Sequence, residues 1–182
     1  MKLEQAREIL DRLALELSPG CEQIAVAGSV RRGKPEVHDL EIVCVPKVVT
    51  VADLFGAPTN AYSLLDAELI RLGLHQLKGG DKYKQFALPE GINLDLFITT
   101  PDQWGWIFVL RTGHRDFNKW LVTPRRHGGA LPGYIRPQGG WLTNGNGPIK
   151  TAEEQDVFRV LGVEWIEPQY RCTEYREMWR LI

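Results

Sequence analysis

Apolar residues along the chain follow first the periodicity of a helix and then that of strands. Over residues 2–17 they recur every three or four positions, and Ser18-Pro19-Gly20 follows at once, so we predict an amphipathic helix there. Two short apolar runs, Ile24–Ala27 and Leu40–Val45, predict strands with buried side chains. A further apolar segment, Val48 to Phe55, follows the second strand.

The middle of the chain predicts a second helix and three more strands. Leucine and isoleucine have helical spacing from Asn60 to Leu72, and Gly73 stands where such a helix would end. Three strand-like runs come next, separated by turns that contain glycine or proline. They are His75–Leu77, Tyr83–Leu88 and Ile92–Ile98.

The second half of the chain predicts helices around a short hairpin. One helix begins at Thr100-Pro101, is broken at Arg111-Thr112-Gly113, and is followed by another over His114–Trp120. A Gly-Gly pair predicts a hairpin within residues 131–143. A capping box of the form Thr-x-x-Glu opens a predicted helix over residues 151–161. The expected core residues of this part are Phe158, Leu161 and Trp165.

The distribution of charge is more informative than its total. The 182 residues carry a net charge of −1, whereas proteins that bind duplex DNA tend to be basic overall. Residues 101–150 hold seven lysines and arginines against two acids, a local charge of +5, which leaves −6 for the remainder. Positive charge is therefore concentrated in the second half of the chain.

Cysteine usage and hydropathy bear on the cellular compartment. Cys21, Cys44 and Cys172 are scattered and odd in number, which argues against disulfides and zinc and favours a reducing compartment. The sequence has no signal-peptide pattern and no apolar run of membrane length. We therefore expect a cytoplasmic protein without a membrane partner.

The stretch from Gly28 to Gly33 has the residue types that hold phosphate. Gly28 lets the backbone turn tightly after the first strand, and Ser29 is expected to cap a short helix through Arg32. Free N–H groups at a helix start, a hydroxyl and two arginines together suit a phosphate group.

Carboxylates at the second strand and inside a later one suggest a metal ion. Asp39 and Glu41 are two residues apart, so in a strand both side chains leave the same face. Two adjacent carboxylates repel each other unless a cation lies between them, and Mg²⁺ prefers oxygen ligands. Asp95 lies within the apolar run Ile92–Ile98, where a carboxylate is costly unless it is paired or bound to metal.

Several motifs in succession resemble one family. The Gly-Ser-x-x-x-Gly stretch followed by two spaced carboxylates resembles the signature of the polymerase beta-like nucleotidyltransferase superfamily, and Arg31-Arg32-Gly33-Lys34 resembles its DNA polymerase X branch. Where the family normally has a second aspartate, this chain has Glu41. Thr112-Gly113 and Phe117-Asn118 resemble the polymerase X thumb, although Leu110-Arg111 replaces the family's aromatic pair. The pattern over residues 153–171 is similar to the end of bacterial and phage-like catalytic cores of this family.

The resemblance implies an α+β fold. It implies a nucleotidyltransferase palm over residues 1–100, with helices on a mixed sheet, and a small helical and hairpin subdomain that binds nucleotide and DNA over residues 101–182. Because the chain begins at the palm's leading helix, we expect no N-terminal lyase domain.

The resemblance also implies roles for individual residues. Asp39, Glu41 and Asp95 are the expected catalytic residues and ligands of two Mg²⁺ ions, with Mn²⁺ as a possible substitute. The expected nucleotide-binding residues are Gly28, Ser29, Arg32, His38, Thr112, Gly113 and Asn118. The expected contacts to DNA phosphates are Lys119, Arg125, Arg126 and Arg136.

The function implied by the resemblance is that of a small monomeric DNA polymerase. It would add deoxynucleotides from a nucleoside triphosphate to the 3′-hydroxyl of a primer–template or a gapped DNA, in short-gap repair. Two alternatives stay open. The Leu110-Arg111 departure permits a nucleotidyltransferase that is template-independent or acts on substrates other than DNA, and Glu41 permits a catalytically decayed nucleic-acid-binding module.

Overall fold

The chain passes between two units, each of which combines separate stretches of sequence. The computed structural model describes residues 1–52 and 58–182. Unit 1 comprises residues 1–26 and 36–99, and unit 2 comprises residues 27–35 and 100–182. The part of the predicted apolar segment Val48 to Phe55 that begins at Asp53 lies outside the described residues. No helix in the described parts is long and apolar enough to span a bilayer.

The described elements confirm an α+β fold. The helices are α1 Leu3–Leu17, α2 Gly28–Arg31, α3 Leu64–Leu72, α4 Trp104–Thr112, α5 Arg115–Val122 and α6 Glu154–Leu161. The strands are β1 Cys21–Val26, β2 Leu40–Pro46, β3 Val48–Ala52, β4 Pro58–Ser63, β5 His75–Lys78, β6 Tyr83–Ala87, β7 Asn93–Ile98, β8 Arg136–Gln138, β9 Trp141–Asn144 and β10 Gly147–Ile149. The assignment of residues 1–100 to a palm and of residues 101–182 to a nucleotide- and DNA-binding subdomain stays a prediction.

Unit 1 is built on a mixed five-stranded sheet in the order β1-β2-β7-β6-β5. Strands β2 and β7 are parallel, and the other neighbouring pairs are antiparallel. Helix α1 packs against β1, β2 and α3 and buries Ala6, Leu10 and Leu13, the stripe that its helical spacing predicts. Gly73 ends α3 in the left-handed conformation, as predicted.

The second helix is shorter than its sequence pattern predicts. Residues Asn60 to Ser63 belong to β4, which pairs antiparallel with β3, and the helix begins only at Leu64. Backbone pairing with β3 satisfies the hydrogen-bonding groups that a helix would otherwise use, and this tertiary pairing overrides the local helical spacing.

Unit 2 has a hydrophobic core between its helices and a three-stranded antiparallel sheet. Trp106, Phe117, Leu142 and Phe158 are among its buried residues. The predicted hairpin is present as β8 and β9, and β10 extends it.

Three local predictions in unit 2 were wrong. Ser29 lies inside α2 and does not cap it, because Ala27 occupies the cap position. The capping box of α6 is formed by Glu153 and Asp156, so the helix begins at Glu154 rather than after Thr151. Trp165 is 39% exposed, because its ring packs over Phe158 from outside the core.

A buried ion-pair network joins the short stretch 27–35 to the rest of unit 2. Arg31 Nη1 and Nη2 donate to the two carboxylate oxygens of Glu154 at 2.8 and 2.6 Å. Arg171, whose side chain is fully buried, donates to Glu154 from Nη1 at 2.5 Å. Burial alone raises the pKa of the Glu154 carboxyl, but the hydrogen bonds and charges of Arg31 and Arg171 outweigh it and hold that pKa below its ordinary 4.5.

We expect Glu154→Gln to lower the free energy of unfolding by about 3–5 kcal/mol, because two largely buried guanidinium groups lose their counter-charge. Urea unfolding at neutral pH, followed by circular dichroism, measures the change. Glu177→Gln is the matched control, since Glu177 is exposed. Equal stability of the two variants would contradict the role assigned to Glu154.

The same network predicts how stability depends on pH. Because the pKa of Glu154 is lowered in the folded chain, its contribution is fully present above the ordinary glutamate pKa and is lost as the pH falls through the folded value. The difference in unfolding free energy between wild type and Glu154→Gln should therefore shrink in acid. Urea titrations between pH 7 and pH 3 test this, and a difference independent of pH would contradict it.

Candidate functional site

Two of the predicted carboxylates lie side by side on neighbouring strands of unit 1. In the parallel pairing of β2 and β7, Glu41 is in register with Asp95. Both side chains are half-buried, whereas Leu40 and Leu94, the residues just before them, are fully buried. Because side chains alternate along a strand, the two carboxylates project from the face opposite to these leucines. The structure therefore brings Glu41 and Asp95 together.

The Asp95 carboxylate is hydrogen-bonded by two side chains of strand β6. Tyr83 Oη and Gln85 Nε2 each donate to Asp95 Oδ1 at 2.8 Å. No hydrogen bond from the described residues reaches the other oxygen, Oδ2. Sequence reasoning missed both donors, although Tyr83 and Gln85 have the two-residue spacing of one strand face and lie in a strand predicted next to that of Asp95.

Asp39 and His38 are placed differently from Glu41. Strand β2 begins only at Leu40, so Asp39 lies in a bend before it, and strand geometry does not fix the direction of its side chain. Both Asp39 and His38 are exposed. Among residues 1–52 and 58–182, no group of three or more histidine, cysteine, aspartate or glutamate side chains is arranged to hold a metal ion.

The pair of Glu41 and Asp95 nevertheless fits Mg²⁺ by its chemistry. Mg²⁺ is usually held by one or two carboxylates together with substrate phosphates and water, rather than by a cage made entirely of protein groups. Two carboxylates in register on one face, with no donor from the described residues on Asp95 Oδ2, meet that requirement.

The predicted phosphate-binding turn belongs to unit 2. Gly28 has a φ of 64°, which permits the tight turn between β1 and α2. The Ser29 hydroxyl is buried, and no described residue forms a hydrogen bond with it. Arg32 Nη1 donates to the backbone carbonyl of Thr112 at 2.6 Å. A buried hydroxyl without a protein partner is unfavourable unless a ligand or water supplies one.

Arg31 does not supply the phosphate contact that the sequence suggests. Its guanidinium is engaged by Glu154 and also donates to Thr112 Oγ1 at 2.7 Å. Its Cζ lies 3.8 Å from the centre of the Phe108 ring. The two consecutive arginines therefore differ in role, and Arg31 is a structural residue.

Thr112, Gly113 and Asn118 come together where α4 meets α5. Asn118 Nδ2 donates to the carbonyls of Leu110 at 2.7 Å and Gly113 at 3.1 Å, so the amide holds the loop in place. Asn118 Oδ1 is buried without a hydrogen-bond partner among the described residues. The donors of this amide are therefore used within the protein, while its buried acceptor has no partner among the described residues.

The four residues expected to contact DNA are not equivalent. Arg125 stabilises the fold, because its Nη2 donates a hydrogen bond at 2.7 Å to the carbonyl of Leu161, at the end of α6. Arg126 and Arg136 are exposed, and with Arg125 they line a cavity of about 470 Å³. Lys119 is exposed and lines a separate cavity of about 360 Å³ with Trp120 and other residues.

Gly113 is a position where we expect even a methyl group to be harmful. A Cβ there would lie 2.3 Å from Asn118 Oδ1 and 2.6 Å from Phe117 Cδ1. Gly113→Ala should therefore cost about 1–3 kcal/mol of unfolding free energy by overpacking. Urea unfolding measures the loss, and Gly133→Ala is the control, since a Cβ at Gly133 meets nothing within 4 Å. A Gly113→Ala protein as stable as this control would overturn the packing argument.

A family model matches part of unit 2. Residues 108–172 match the model of the DNA polymerase beta thumb. Among curated protein sequences none matches the chain. The matched residues include the Thr112-Gly113 and Phe117-Asn118 cluster as well as the buried Glu154 and Arg171. On this evidence residues 108–172 are similar to a DNA polymerase beta thumb, which supports a relationship to polymerase X-like proteins.

Proposed function

We propose that this protein is a DNA polymerase of the X family that transfers deoxynucleotides to a primer 3′-hydroxyl, with short gaps in DNA as its substrate. A polymerase beta thumb implies DNA binding. The observation that carries the catalytic part of the proposal is the register pair of Glu41 and Asp95 on β2 and β7 of unit 1.

The reaction joins the primer 3′-oxygen to the α-phosphorus of the nucleotide. The bond from that phosphorus to the bridging oxygen breaks, pyrophosphate leaves with the electron pair, and the hydroxyl proton passes to solvent. Two bound Mg²⁺ ions would lower the pKa of the hydroxyl and neutralise charge on the leaving pyrophosphate. Asp39, Glu41 and Asp95 are the residues that would hold them, and the protein otherwise positions the reactants.

Residues of unit 2 have the complementary role of binding nucleotide and DNA. The buried Ser29 hydroxyl, which has no hydrogen-bond partner among the described residues, supports its assignment to a phosphate of the nucleotide. Arg32 is tied to Thr112 through one nitrogen, which orients its planar guanidinium. Asn118 is assigned to the edge of the incoming base because of its resemblance to the thumb pattern, and its amide holds the loop between α4 and α5.

A second candidate function has its own support. Glu41 is longer than the aspartate that the family normally has, and the described residues contain no ready three-ligand metal group. Both facts favour a DNA-binding module that has lost catalysis. Primer extension by the wild-type protein separates the two functions.

We expect Asp95→Asn to reduce primer extension to background while leaving the fold intact, because a negative oxygen ligand is replaced by a neutral amide. Extension of open primer–template, gapped and single-stranded DNA with deoxynucleotides in Mg²⁺ and in Mn²⁺ measures the effect. Asp81→Asn is the control, since Asp81 is exposed on a turn. An inactive wild type that still binds DNA would favour the decayed module, and extension without a template would favour the template-independent alternative.

Glu41 allows a finer prediction about the metal. Glu41→Asp should keep or raise activity in Mg²⁺, because a shorter side chain suits the strict octahedral geometry of that ion, whereas Glu41→Gln should lose most activity. Parallel assays in Mg²⁺ and Mn²⁺ measure both variants. If Glu41→Gln is as active as wild type, this carboxylate binds no essential metal.

Salt dependence tests the contribution of the exposed arginines to DNA binding. With four candidate cations we expect a log–log slope of affinity against salt of about −2 to −4, and Arg126→Ala or Arg136→Ala should each make it shallower by about 0.9. Fluorescence anisotropy of a labelled primer–template over a salt series measures the slope. Arg7→Ala, at an exposed position on α1, is the control. Slopes unchanged from wild type would remove both arginines from the DNA contact.

A further inference from the structure

We propose that Tyr83 and Gln85 are positioning residues that fix the orientation of Asp95 for a divalent cation. The inference rests on the proposed function, because it takes Asp95 to be a metal ligand. It assigns a role to strand β6, for which the sequence motifs predict no function.

The cross-strand geometry places both donors within reach of the same carboxylate. Gln85 is directly opposite Asp95 in the antiparallel pairing of β6 and β7, and Tyr83 is opposite Phe97, one diagonal step away. Directly opposite side chains are adjacent, and a diagonal neighbour is reached only by a long side chain such as tyrosine. The two donors therefore approach Asp95 from different positions along the strand.

Both hydrogen bonds fall on one oxygen. Tyr83 Oη and Gln85 Nε2 donate to Asp95 Oδ1 at 2.8 Å each. Two donors from separate positions restrict rotation of the carboxylate, and no hydrogen bond from the described residues reaches Oδ2. Because both donors are neutral, they orient the group without cancelling the negative charge that attracts a cation.

Packing makes the Tyr83 donor rigid. The Tyr83 ring lies 5.3 Å from the ring of Phe97, centre to centre, and Phe97 is 8% exposed. A hydroxyl carried on a packed ring keeps its position with little freedom to rotate. Donors held in this way orient metal ligands, and their loss typically weakens metal binding by about 10–100-fold.

The test measures Mn²⁺ binding directly, without catalysis. The amount of free Mn²⁺ is followed by electron paramagnetic resonance as the ion alone is added to the chain of 182 residues. We expect Tyr83→Phe and Gln85→Leu each to weaken Mn²⁺ binding by about 10-fold, and neither to do so in an Asp95→Asn background. Tyr134→Phe and Gln155→Leu, both at exposed positions of unit 2, are matched controls.

A purely structural role for the two donors would change stability instead of affinity. Urea unfolding of each variant is therefore measured beside the Mn²⁺ titration. If one variant fails to fold, the Mn²⁺ affinity of the other variant tests the inference. Wild-type affinity in a folded Tyr83→Phe or Gln85→Leu protein overturns the inference. If wild type and Asp95→Asn bind Mn²⁺ equally, the metal site of the proposed function fails; if only Asp95→Asn loses binding, that site stands and the positioning role is wrong.

Discussion

The buried carboxylate of Glu154 is the constraint on which unit 2 depends. It accepts hydrogen bonds from Arg31 and from Arg171, whose side chain has no exposed surface. A buried charge without a partner costs several kcal/mol, so these three groups are stable only when they are assembled together. Residues 27–35 therefore belong with residues 100–182 although the strands on either side of them in sequence are in unit 1.

In unit 1 the corresponding constraint is the parallel pairing of β2 with β7. That pairing sets Glu41 beside Asp95, and the alternation of side chains along both strands sends the carboxylates to one face. A shift of one residue in register would separate them, because every side chain of one strand would change face. The buried neighbours Leu40 and Leu94 oppose such a shift, so the hydrophobic core also positions the candidate metal ligands.

Local patterns predicted much of this structure and none of its long-range polar contacts. The stripe of α1 and the strand containing Asp95 follow from periodicity, which depends only on near neighbours. The helix predicted from Asn60 began too early because β4 pairs with β3 instead. Arg31 resembles a phosphate ligand in sequence, and only the fold shows its carboxylate partner. The metal ions, the nucleotide contacts and repair synthesis stay predictions, because they depend on groups outside the chain.

The path of the chain between the two units affects the order of folding during synthesis. Arg31 is synthesised before Glu154, which lies 123 residues further along the sequence. At roughly 5–20 residues per second, this separation of 123 residues delays the carboxylate by about 6–25 s. Strands β1 and β2, on either side of the stretch 27–35, are both synthesised before Glu154, so Arg31 lacks its carboxylate partner until then. The ion-pair network of unit 2 is therefore completed only after Glu154 has been synthesised.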